Sequence, residues 1–201
     1  MTVRTAVPSE TAGTIYTQYV SVENGTGSGE YTEGEDVQIT ADTPEDGKIF
    51  KNWSVELGSV QLTDSTKATT TFTMPKGCVI VKANYADIRA TITDSEGNVT
   101  PYADDSRAQN DWRNNGGTLT VYADDFLLDY YMMAPAGSVL DLNGHSVEAR
   151  YFAISNSCTI QNGTILMEYS GYILSNAVVT FENVTIAQDE EAYWEVEINN
   201  G

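Results

Sequence analysis

The side chains able to do chemistry are few and scattered. His145 is the single histidine, which excludes metal sites built on several imidazoles and leaves acid–base schemes to carboxylates. Carboxylates stand at Asp124, Asp125 and Asp141, with Arg150 as a basic partner. A hydrolase needs two carboxylates at a set separation on one face, and a polysaccharide lyase needs a cation-holding acidic cluster with a base. These groups fall at different positions of the repeat described below, and no acidic column recurs in it. No catalytic residue is therefore expected. The loop Asp94-Ser95-Glu96-Gly97-Asn98 offers oxygen atoms at alternating positions but lacks the remaining ligands of a calcium loop, and reads as an ordinary turn. Neither a metal nor a cofactor is expected. Cys78 and Cys158 are far apart and flanked by apolar or β-prone residues, so both are expected to be small buried hydrophobes rather than a disulfide or reactive thiols.

The elements that position these groups come from a repeat. Leu140-Asp141-Leu142-Asn143-Gly144-His145-Ser146-Val147, Cys158-Thr159-Ile160-Gln161-Asn162-Gly163-Thr164-Ile165 and Val179-Thr180-Phe181-Glu182-Asn183-Val184-Thr185-Ile186 follow one pattern. Aligned without gaps, they set Leu140, Cys158 and Val179 in one column, Leu142, Ile160 and Phe181 in a second, and Val147, Ile165 and Ile186 in a third. Between the last two columns, Asn143-Gly144-His145, Asn162 and Asn183 suit a corner, and His145 is expected to hydrogen-bond there. A unit of about 20 residues with two short strands is too short for a helical hairpin but suits one turn of a stacked β structure with apolar ladders inside. Asp104 to Asn115 carry acidic and hydroxyl N-cap options, with Gly116-Gly117 as the stop. This predicts a short helix whose one bulky apolar side chain, Trp112, covers the end of another element.

Upstream, residues 15–87 run in β-rich bursts separated by turn chemistry, with Trp53 and Phe72 as core anchors. Residues 1–14 read as an N-terminal arm, and residues 88–102 as a hairpin or extended connector. Within 15–87, Asn24-Gly25-Thr26-Gly27-Ser28-Gly29, Glu33-Gly34-Glu35, Ile39-Thr40-Ala41, Phe50-Lys51-Asn52-Trp53 and Phe72-Thr73-Met74-Pro75 occur in series. The series resembles the divergent internalin-type B-repeat of bacterial surface proteins. That resemblance implies a β-grasp-like fold and a spacer or adhesive role, with no catalytic residues to transfer. In residues 103–201, a helix followed by Gly116-Gly117, Ala134-Pro135-Ala136-Gly137 and Asn143-Gly144-His145 resembles the opening turns of pectate-lyase-like right-handed parallel β-helix proteins. This second resemblance implies handedness and architecture but no activity. The expected fold class is thus all-β, a β-grasp-like repeat domain followed by a short right-handed parallel β-helix with an N-terminal capping helix. Asp189-Glu190-Glu191 and Glu195-Val196-Glu197 are candidates for charged protection of its last edge.

With 10 Lys and Arg against 29 Asp and Glu, the net charge is -19. Clustered cations for phosphate contacts are missing, which excludes a nucleic-acid partner. No run reaches the length of a membrane span, so no membrane insertion is expected, and Met1-Thr2-Val3-Arg4-Thr5 has no signal-peptide core. The expected function is a non-catalytic structural, display or adhesion protein of an extracellular surface, in a phage decoration or fibre protein or in a bacterial cell-surface module. The alternatives are a carbohydrate-binding module and, behind it, a polysaccharide lyase or hydrolase. The expected partners are another protein or the chain's own subunits in a homo-oligomer, with a surface glycan as the further candidate. Tyr130, Tyr131, Tyr169 and Tyr172 are the candidate interaction surface.

Overall fold

A computed structural model describes residues 18–128, 131–132, 135–173 and 177–188, leaving aside the side chains at 131, 132, 151, 152, 169–172 and 188. The expected arm, Tyr130 and the two candidate edge-protecting acidic runs lie outside the described residues. Among the described residues strands predominate, with one short helix, and the class is all-β. The described chain divides into two compact units. One comprises the residues up to Asp46 with Phe50–Ala86, the other Gly47–Ile49 with the residues from Asp87 onward.

Apart from the first two residues of β5 and the last of β7, the first unit contains β1 (Gln18–Glu23), β2 (Gly25–Thr26), β3 (Gly29–Tyr31), β4 (Asp36–Ala41), β5 (Lys48–Leu57), β6 (Thr69–Thr73) and β7 (Val79–Asp87). A four-stranded sheet has the order β3-β1-β7-β5 and a three-stranded sheet the order β2-β4-β6. Period-two alternation makes the strands. Val37 and Ile39 of β4, and Val79, Val81 and Ala83 of β7, are fully buried, with more exposed neighbours between them. Trp53 and Phe72 lie in the same core, and the Trp53 indole N–H donates to the carbonyls of Lys67 and Ala68 at 3.1 and 3.3 Å. The alternation that buries Val79 also turns its neighbour outward, so Cys78 is exposed, contrary to the expectation of a buried hydrophobe. Cys158 is buried as expected, and burial raises its thiol pKa to about 11.

The second unit opens on the hairpin β8 (Ala90–Thr93) and β9 (Val99–Tyr102), followed by α1 (Asp105–Asn115). Asp104 caps α1 by accepting from the Arg107 N–H at 2.8 Å, and Gly116, at φ 74°, ends it. Ala108 and Trp112 enter the unit's core, and the Trp112 N–H reaches the Gly117 carbonyl at 3.0 Å. Then come β10 (Thr118–Val121), β11 (Leu127–Leu128), β12 (Tyr131–Met132), β13 (Ser138–Asp141), β14 (Ser146–Ile154), β15 (Cys158–Ile173) and β16 (Val179–Gln188). β10 pairs antiparallel with β8 and parallel with β13. From there every pairing is parallel: β13 with the first part of β15, β11 and β12 with β14, β14 with the rest of β15, and β16 with β15. Successive passes of the chain therefore stack, each hydrogen-bonded to the one before it.

Burial follows the stack. Leu119 stands opposite Leu140, Leu140 opposite Ile160, and Ile160 opposite Phe181. The first three are fully buried, each contributing on the order of 1.5–3 kcal/mol. The column of Val147, Ile165 and Ile186 forms as the repeat predicts, as do the pairs of Cys158 with Val179 and Ile160 with Phe181. The first member of the other two columns is corrected. Ser138, not Leu140, faces Cys158, and Leu140, not Leu142, faces Ile160. The cause is a corner of unequal length. Between the registers Asp141 with Gln161 and Ser146 with Thr164, the earlier pass has Leu142 to His145 and the later one only Asn162 and Gly163. The longer corner closes as a turn, with the His145 N–H on the Leu142 carbonyl at 2.8 Å and positive φ at both Asn143 and Gly144. An alignment without gaps hides this two-residue difference.

Candidate functional site

The corners of the second unit hold most of the side chains that the repeat singled out. Asn143, Asn162 and Asn183 occupy them with φ of 51°, 59° and 55°, a left-handed conformation that asparagine tolerates better than other side chains with a Cβ. The Asn143 amide donates to the Val121 carbonyl at 3.2 Å, and the Asn162 amide to Asp141 Oδ1 at 3.2 Å. Each thus ties its own pass to the one before. Gly163 is required by closeness, since a Cβ there would stand 2.5 Å from the His145 carbonyl oxygen and from Leu142 Cβ. Leu142 and Ile160 are fully buried beside these corners, while Phe181 is 38% exposed. Gly144 faces open space and serves its positive φ.

The carboxylates and cations considered for catalysis are divided among separate contacts. Asp124 Oδ1 lies 2.9 Å from His145 Nδ1 and accepts the Ser146 N–H at 3.3 Å. The hydrogen bond from His145, seconded by that from Ser146, holds the Asp124 carboxyl below the usual carboxylate range. Asp141 accepts from the Asn143 N–H at 2.9 Å and the Gln161 amide at 2.8 Å, besides Asn162. Asp125 goes to Arg89, and Arg150 to Glu168 at 3.3 Å. The geometry therefore suits these groups to fastening corners and elements. Asp94 accepts from the backbone N–H groups of Glu96 and Asn98 and from the Asn98 amide, each at 2.9 Å. Those bonds, led by the Asn98 amide, lower its pKa, and they use the loop oxygens as a turn. Among the described residues, no group of three or more His, Cys, Asp or Glu is placed to hold a metal ion.

Sequence reasoning missed Arg89. Its Nε and Nη2 hold Asp105 of α1 at 2.6 and 2.9 Å, while Nη1 and Nη2 reach the carboxylate and carbonyl of Asp125 at 2.8 and 3.0 Å. Asp105 also accepts the Leu127 N–H at 3.1 Å. One guanidinium thereby joins the start of the hairpin, the first turn of the helix and the loop before β11, and the paired acids raise its pKa further. The available signal was a rare cation in an acidic chain just before a β-burst. Tyr102 was missed as well. Its hydroxyl donates to Asp111, and burial foremost, with that carboxylate next, raises its pKa to about 12.

Of the candidate tyrosines, the strand register sets Tyr131 and Tyr172 on either side of Ala153, one pass away in each direction. Tyr169 lies in β15 where its register against β14 shifts between Ala149 and Tyr151. The described geometry brings the corner residues together and places Tyr131 on one pass and Tyr169 and Tyr172 on another, with β14 between them. No helix among the described residues is long and apolar enough to cross a membrane.

Neither a curated protein nor a solved structure matches this chain. Domains of the B-repeat type are typical of bacterial surface proteins. Residues 5–89, which include all seven strands of the first unit, match the family model described as the divergent InlB B-repeat domain.

Proposed function

We propose that this protein is a non-catalytic display or adhesion module of an extracellular surface. In this reading the first unit is a β-grasp-like spacer or contact domain, and the second is a short right-handed parallel β-helix, similar to pectate-lyase-like proteins, with α1 as its cap. The match of residues 5–89 to the B-repeat family carries the surface role. The parallel pairing of successive passes about 20 residues apart supports the β-helix reading. The separate engagement of Asp124, Asp125, Asp141 and Arg150 supports a structural use for groups that hydrolysis or elimination would need free and convergent. The setting is a bacterial cell surface or a phage particle.

Antibody labelling of intact producing cells, and of particles released from them, tests the location. Label on either surface is the expected result, and label confined to the interior of opened cells would sink the proposal. Incubation with neutral and acidic polysaccharides should release no reducing ends or unsaturated products. Release that disappears in Asp124→Asn would instead establish the enzyme reading.

A further inference from the structure

The first and last described strands of the stack in the second unit differ. At the first, α1 packs Trp112 into the core, and β9, with Pro101 in it, forms a short antiparallel edge. At the other, the last described strand, β16, is ten residues long and carries one charge, Glu182, in a chain of net charge -19. Its register with β15 places Phe181 on the column of the fully buried Ile160 and Ile186 on that of the fully buried Ile165. Those isoleucines are buried because a following pass lies over them. Phe181 and Ile186 are 38% and 41% exposed, and among the described residues β16 pairs with β15 alone.

We propose that β16 is the interface through which two copies of this chain pair end to end about a two-fold axis. The strand bends at Asn183, where φ is 55°. A two-fold axis through that bend, perpendicular to the stack, carries the segment before the bend onto the segment after it. The two β16 strands then run antiparallel, as sheet hydrogen bonding permits. With the axis between positions 183 and 184, Phe181 faces the partner's Ile186, and Ile186 faces the partner's Phe181. Each interior apolar column gains one more member, supplied by the other copy. On the outer face Glu182 meets the partner's Thr185, so the two glutamates are not set against each other. A self-complementary edge of this kind specifies a second copy, and its low charge makes it the place where copies that otherwise repel can touch. Dimerisation is expected to strengthen with salt, which screens the net charge. The inference stands apart from the surface role, and its failure leaves that role in place.

Sedimentation equilibrium of the whole chain over a range of concentrations is expected to show a species of twice 21.9 kDa. Phe181→Lys should raise the dimer dissociation constant by ~100-fold or more, with circular dichroism confirming the fold. As a second route, Glu182→Cys with Thr185→Cys, in a Cys78→Ser background, should give a disulfide-linked dimer on oxidation, whereas Glu182→Cys alone should not. Amides of β16 should exchange more slowly as concentration rises. A chain that stays monomeric at every concentration and salt overturns the proposal, and that result would point to residues 189–201 as the cover of this end. A dimer that ignores Phe181→Lys and yields no cross-link overturns it equally, by placing the contact elsewhere.

Discussion

In the first unit Trp53 sits in a core closed by two small sheets, whereas in the second Ile160 is one rung of a column running from Leu119 through Leu140 to Phe181. The first core is a single cluster in which residues of β1, β4, β5, β6 and β7 are buried together. The column has a first and a last described member, and residues of similar chemistry change from fully buried to partly exposed along it. Burial in the second unit is thus a property of position in the stack as much as of residue type. The contrast extends to polar groups. In the first unit one side chain holds segments distant in sequence, Tyr85 donating its hydroxyl to the carbonyls of Asp42 and Asn24 at 2.8 and 3.1 Å. The second uses Asn143, Asn162 and Asp141 to bind one pass to the next.

The sharpest way to break this comparison is to remove a large side chain from each unit. Trp53→Ala is expected to cost about 3–5 kcal/mol and to abolish the first unit's unfolding transition while that of the second persists, as urea titration with separate probes in each unit would show. A single shared transition would mean that the two cores do not behave separately. Ile160→Ala, in mid-column, should cost about 2–5 kcal/mol. Its loss of amide protection should be greatest in β13, β15 and β16, the strands on either side of the gap. Uniform loss across the second unit would contradict the nearest-neighbour picture.

The corners offer a finer test. Gly163→Ala forces a Cβ onto the backbone of the preceding pass and is expected to cost about 2 kcal/mol or more, against about 1 kcal/mol for Gly144→Ala, where only the positive φ is strained. Equal melting temperatures for the two variants would show that the close approach at Gly163 relaxes freely. The smallest effect is expected at Asp124. Its folded pKa lies below the ordinary value of about 3.9. Its contribution to stability is therefore present above that value and fades as pH falls through the lower folded one. The stability difference between the native chain and Asp124→Asn should be seen at neutral pH and vanish in strong acid. A difference that persists unchanged there would assign the effect to something other than ionisation.

Much of this was legible beforehand because period and turn chemistry are local. Alternating Val37 and Ile39 declared a strand, Asp104 and Gly116-Gly117 bounded a helix, and three asparagines at near-equal spacing marked corners whose left-handed φ few other residues accept. Column membership was legible only where passes are of equal length. From Ile160 and Ile165 to Phe181 and Ile186 the spacing is constant, and the assignment agrees with the ladder. From Leu140 to Ile160 the corner is longer by two residues, and similar apolar spacing made Leu142 look like the partner. The fate of Arg89 lay beyond such reasoning, because its two acidic partners come from the helix and a later loop.

By itself, then, the sequence determined the β class, the position of the short helix, the corners of the repeat and a strongly acidic net charge, since each follows from residue type and near-neighbour spacing. Only the tertiary structure decided which residues face one another across passes, that Cys78 points outward, and that Asp124, Asp125, Asp141 and Arg150 go to different partners. Those outcomes depend on how far the chain travels in each pass, and a corner two residues longer shifts every contact before it while leaving the local pattern unchanged.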